Sequence, residues 1–136
     1  MAGTEGEGAP YAFGTSVACM DGRIQEPIRI WMAERFGLTY VDVVTQPGMD
    51  GVLAGSTDLG DPELARRMTG ISVRAHGSRT VVVSGHHDCA GNPVSRERHI
   101  EDIKRAVDAA KSWDGMDGIQ VIGVWVNEDW QVEPVT

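Results

Sequence analysis

The chain has 136 residues, enough for one domain with a sizeable core and too few for two ordinary ones. Twelve Lys and Arg against twenty Asp and Glu give a formal net charge of −8, which argues against a nucleic-acid or anionic-membrane partner. No run approaches the roughly 18 apolar residues of a membrane span, and no basic region precedes an apolar one at the N-terminus, so a cytoplasmic protein is expected, its two cysteines serving as thiols, metal ligands or redox partners.

Residues 1–14 are rich in glycine and show no period, which predicts a flexible leader, with one α/β domain over residues 15–136. Thr15 to Met20 is small and β-branched and suits a buried first strand. From Glu26-Pro27 the apolar residues Ile28, Trp31, Met32 and Phe36 recur at helical spacing, with Pro27 in the first turn and Gly37 as the stop. Leu38 to Thr45 reads as a second strand, and the four glycines of Met49 to Gly60 read as a loop. Asp61-Pro62-Glu63 opens a helix whose apolar face is expected to carry Leu64, Ala65, Met68 and Ile71.

Thr80 to Ser84 is the third strand, followed by Gly85-His86-His87-Asp88-Cys89. Asn92-Pro93-Val94-Ser95 then prepares a helix with Ile100, Ile103, Val107 and Ala110 on one face. Ile119 to Val126 is a fourth strand, and Trp130 to Val135 a short fifth at the edge. His76 and His99 read as surface or helix-end residues, and the four tryptophans as core or interface mass. Strands alternating with helices predict a three-layer α/β domain on a mainly parallel four-stranded sheet of order 2-1-3-4, with that fifth strand added.

In that order the first and third strands are neighbours, and ligands bind beyond the carboxyl ends of strands where the order reverses. Cys19 and the His86-to-Cys89 turn meet there. Cys19, His86 and Cys89 supply the Cys2His set of a catalytic zinc with one open position, although His87 could face the metal in place of His86. Asp21 and Arg23, two apart on extended backbone, share a side. Arg23 would hold Asp21 ionised, and Asp21 would accept a hydrogen bond from zinc-bound water or hydroxide, whose pKa zinc lowers toward about 7. The absence of a phosphate loop or basic cleft in the sequence points to a small neutral substrate, carbon dioxide being the simplest electrophilic carbon. Two other uses of these residues stay open: a closed structural zinc, with Asp21 or His87 in the fourth position, and a redox pair of Cys19 and Cys89.

Val17-Ala18-Cys19-Met20-Asp21-Gly22-Arg23 and Gly85-His86-His87-Asp88-Cys89-Ala90-Gly91 resemble the corresponding segments of the β-class carbonic anhydrases. The resemblance implies Cys19, His86 and Cys89 as zinc ligands, and Asp21 with Arg23 as the pair that orients a zinc-bound hydroxide in the reversible hydration of carbon dioxide to bicarbonate. By its spacing it favours His86 over His87, which becomes a second-shell group or proton carrier. It further implies a homodimer or a multiple of dimers, and an aspartate able to swing onto the metal. Related members hydrolyse carbonyl sulfide or carbon disulfide with the same ligands. The sequence departs from the family pattern at Thr45-Gln46-Pro47-Gly48, where Arg-Asn-Ala-Gly is usual, and at Ala90, where glycine is usual; the leader also offers no helical arm to embrace a partner subunit.

Overall fold

The strand Thr80–His86 is buried at all seven positions, as a central parallel strand covered on both faces is, and its apolar run is Val81 to Val83. Val81 and Val83 face one core, and Val82 faces the other on the opposite side of the sheet. The computed structural model describes residues 11–136, so residues 1–10 of the expected leader lie outside the described part. Within it the elements run β1 (Phe13–Ala18), α1 (Gly22–Phe36), β2 (Tyr40–Thr45), α2 (Met49–Ala54), α3 (Pro62–Ala75), β3 (Thr80–His86), α4 (Arg96–Lys111), β4 (Gln120–Val126) and β5 (Val132–Pro134). The sheet order is β2-β1-β3-β4-β5; only the last pairing is antiparallel. Helix α1 packs on one face through Ile24, Ile28 and Met32. Helices α2, α3 and α4 supply Val52, Ala65, Ile103 and Val107 to the core of the other. Among the described residues, no helix is long and apolar enough to cross a membrane.

Four local expectations need correction. Strand β1 opens at Phe13, inside the stretch assigned to the leader. Helix α1 starts at Gly22 with Asp21 as its N-cap, so Pro27 lies inside the helix and leaves the Arg23 carbonyl without its usual donor. The predicted loop after β2 contains α2, closed at both ends by left-handed glycines, Gly48 and Gly55. A six-residue helix is too short to declare itself by period; burial of Met49, Val52 and Leu53 in the core forms it.

The fourth concerns how α3 and α4 are turned. Leu64, Met68 and Ile71 are exposed by 39%, 36% and 56%; of the expected face Ala65 is buried, and α3 turns Thr69 and Ser72 inward beside it. Small residues let the helix approach β1 closely, where the Thr15 and Ser72 hydroxyls lie 2.6 Å apart and Ser72 donates to Asp42 at 2.7 Å. On α4 the buried face includes Ile103, Val107 and Ala110 as expected, but also His99 and Asp102, so His99 is not a surface residue.

Candidate metal centre

The order β2-β1-β3 places the carboxyl ends of β1 and β3 side by side. Cys19 follows the last residue of β1, and His86 is the last residue of β3. The chain then reverses through Asp88 in the left-handed region, φ 58°, a conformation aspartate tolerates, and brings Cys89 back to the same crevice. One ligand atom from each of Cys19, His86 and Cys89 lies within 4.8 Å of the others, and all three residues are buried. His87 is exposed. Of the two histidines, then, His86 faces the sulfurs, and the His87 carbonyl accepts the His86 Nδ1 proton at 2.7 Å.

That hydrogen bond fixes the imidazole tautomer, because a carbonyl only accepts, and leaves the Nε2 lone pair free. Nε2 is buried and has no hydrogen-bond partner among the described residues. An orphaned acceptor beside two thiols is an uncomfortable arrangement unless a cation takes the lone pair. The Cys19 and Cys89 sulfurs are 3.9 Å apart. Two thiolates bound tetrahedrally at the usual zinc distance of about 2.3 Å would be roughly 3.8 Å apart. The donor set and its spacing fit zinc.

The three groups shift one another's pKa values. The Cys19 thiol is pulled well below its ordinary range by a hydrogen bond from Cys89, against its own burial, with help from His86 and the backbone N–H groups of Gly48 and Asp21. Its Cys89 partner is pushed up by the same hydrogen bond and by burial. Burial opposes a charge on His86, yet Cys19, the His87 carbonyl and Asp21 outweigh it and raise its pKa. The Gly48 N–H donates to Cys19 Sγ at 3.3 Å, so the start of α2 is part of the thiolate's surroundings.

Asp21 and Arg23 do form a pair, though through the helix start and not an extended strand. Asp21 Oδ1 accepts from the Arg23 backbone N–H at 2.8 Å and from Nε at 3.0 Å, and Oδ2 accepts from Nη2 at 2.7 Å. This fork holds the Asp21 carboxyl down to about 2, with Arg23 the main cause. Asp21 Oδ2 stands 4.0 Å from His86 Nε2, beside the ligand atoms. Arg23 also reaches Asp88, through Oδ2 at 3.2 Å and the carbonyl at 3.1 Å, and its guanidinium lies 4.6 Å above the Trp130 ring. Neither contact is legible in the sequence, where Trp130 reads only as core or interface mass and Asp88 only as an acid inside the His-x-x-Cys turn.

The family model described as "Putative carbonic anhydrase" matches residues 9–136. The chain belongs to that carbonic anhydrase family. Its fold is that of the β-carbonic anhydrases. It is similar to β-carbonic anhydrase isoform I of the protozoan Trichomonas vaginalis, at 14% identity and TM-score 0.60, over 89% of this chain and 81% of that one. The carbonic anhydrase of Streptococcus mutans is 18% identical at TM-score 0.60, over 90% and 81%. An apo form of carbon disulfide hydrolase is 14% identical at TM-score 0.61, over 91% and 79%. No curated protein matches the chain. Just after β2, Gln46 turns to α3, donating through Nε2 to the Asp61 carbonyl at 2.9 Å. The segment after β2 thus helps to start α3.

Proposed function

We propose that this protein catalyses the reversible hydration of carbon dioxide to bicarbonate, with zinc held by Cys19, His86 and Cys89. The observation that carries the reading is the buried, unpartnered His86 Nε2 facing two cysteine sulfurs 3.9 Å apart. Zinc in such a site is a Lewis acid that brings the pKa of water toward neutrality.

The chain's own residues aim the reaction. Asp21, kept ionised by Arg23, accepts a hydrogen bond from the attacking water and so directs its oxygen lone pair at the carbon. That oxygen bonds to carbon, one C=O bond opens to the carboxylate, and the proton lost from water passes to solvent. Asp88 and Trp130 restrain Arg23, which keeps Asp21 from turning onto the ligand atoms and closing the site. His87, which is exposed, carries the proton outward. The working form is a homodimer or a multiple of dimers.

The test is zinc content and stopped-flow carbon dioxide hydration across pH, on protein purified without added metal. One zinc per chain and hydration that rises with pH are expected, both lost in Cys89→Ser. Absence of zinc, or full zinc retention in Cys89→Ser, overturns the ligand assignment. A second reading, hydrolysis of carbonyl sulfide or carbon disulfide on the same ligands, is favoured by the altered Thr45-to-Gly48 segment and by the fold shared with carbon disulfide hydrolase. Comparing kcat/KM for the three substrates on one zinc-loaded preparation separates them: fast turnover of a sulfur substrate with negligible hydration selects the second reading. Inactivity toward all three, with zinc bound, returns the site to a structural role.

A further inference from the structure

Close to the sulfur pair lies a polar cluster that the proposed reaction does not use. Asp50, Asn92, His99 and Asp102 are exposed by 1%, 2%, 2% and 0%. Burying two carboxylates in a domain of this size is costly unless each is hydrogen-bonded. Here each is. Asp50 Oδ2 lies 2.6 Å from His99 Nδ1, and Oδ1 accepts from the Gly51 N–H at 2.9 Å and from Asn92 Nδ2 at 3.2 Å. Asn92 Nδ2 also donates to Asp102 Oδ2 at 3.0 Å, while Asp102 Oδ1 accepts from the Ser56 hydroxyl at 2.8 Å and from Arg98 Nε at 3.4 Å.

The surrounding backbone is cleared to admit this cluster. A Cβ on Gly85, the residue before His86, would collide with the Asp50 carboxylate. One on Gly51 would lie 2.8 Å from the Asn92 amide. A Cβ on Gly48 would lie 2.5 Å from the Gly91 carbonyl carbon, and one on Gly91 would lie 2.5 Å from Gly48 N. The two loops that carry Gly48 and Cys89 therefore meet backbone to backbone, and the cluster joins the segments just after that contact.

We propose that Asp50 and His99, bonded directly to each other, with Asn92 joining Asp50 to Asp102, are positioning residues for the metal centre. By tying α2 to α4 they keep the Gly48 N–H on Cys19 Sγ. Asn92, three residues after Cys89, ties the second loop to the same anchor and so holds the spacing of the two sulfurs. The inference rests on the reading of Cys19, His86 and Cys89 as ligands.

The experiment uses the full chain loaded with zinc or with cobalt(II), in wild type, Asp50→Asn, His99→Leu, His99→Asn and Asn92→Ser. Zinc affinity is measured by chelator competition on folded protein, the thiolate-to-cobalt charge-transfer bands by absorption, and melting of the metal-free form separately. Asp50→Asn and His99→Leu are expected to weaken zinc about 10- to 100-fold, the usual range for partners that orient ligands, and to shift the cobalt bands. His99→Asn, whose amide can occupy the place of Nδ1, restores most of both. Asn92→Ser, which leaves the Asp50–His99 pair in place, keeps the test open if His99→Leu does not fold, and must show the same loss. Lower melting with unchanged zinc affinity and cobalt bands makes the cluster merely structural and overturns the proposal. A wild type that takes up neither metal overturns both this inference and the ligand reading, whereas metal-binding wild type with unaltered variants overturns this inference alone.

Discussion

Arg23 is half-exposed, yet it joins Asp21, Asp88 and Trp130 at the mouth of the candidate metal centre. An exposed ion pair contributes little stability by itself, so its use here is to fix where the Asp21 carboxylate points. Asp21→Asn keeps the fold and the metal but loses the ionised acceptor, and carbon dioxide hydration is expected to fall about 10²-fold, the scale of a positioning defect. Stopped flow alongside metal analysis checks it, and an unchanged rate would remove Asp21 from the reaction. The same pair makes a prediction in pH. The folded pKa of Asp21 is depressed to about 2 from an ordinary 3.8, so its contribution to stability is complete above the ordinary value and disappears as pH falls through about 2. The stability gap between wild type and Arg23→Gln should therefore be constant above about pH 4 and close toward pH 2, as read from denaturant midpoints. A gap that widens in acid would show that Arg23 stabilises the fold by some other contact.

At the scale of elements, α2 is the part that links fold to site. It begins at Gly48, φ 60°, and ends at Gly55, φ 77°, so both ends need the left-handed conformation that side chains resist. The two glycines differ in what surrounds them: Gly55 has open space beside it, whereas Gly48 abuts Gly91. Gly55→Ala should cost about 1 kcal/mol, the conformational penalty alone. Gly48→Ala adds a backbone collision and should cost at least about 2 kcal/mol, and it should also weaken metal retention by displacing the N–H from Cys19. Equal losses at the two positions, by denaturant unfolding, would mean that the contact between the loops carries no strain.

For the molecule as a whole, the unexpected feature is the apolar row on α3. Leu64, Met68 and Ile71 sit at helical spacing on one face and are all exposed. Exposed apolar rows of this kind commonly mark an interaction site. The proposed homodimer gives the row a use, and Ile71→Glu is expected to dissociate it, with zinc content unchanged, as seen by sedimentation velocity. If wild type is dimeric and the variant remains so, the interface lies elsewhere.

By itself the sequence determined the main strands, the Cys19 and His-x-x-Cys segments, and the Asp61 helix cap, because each is encoded within a few residues by apolar runs, metal-ligating side chains or turn chemistry; the strand order followed from the alternation of strands and helices along the whole chain. The position of Asp21 and Arg23 next to the ligands was legible too, although the helix N-cap that pairs them was not. Only the tertiary structure decided that Met49 to Ala54 is helical, that α3 turns Ser72 rather than Met68 inward, and that His99 is buried against Asp50. The physical reason is common to all three. A short helix, a helix's rotation and a buried Asp–His hydrogen bond are stabilised by partners far away in the chain, the core residues of α4, the Thr15 hydroxyl on β1 and the space left by Gly85, and no local pattern records those partners before the chain has folded.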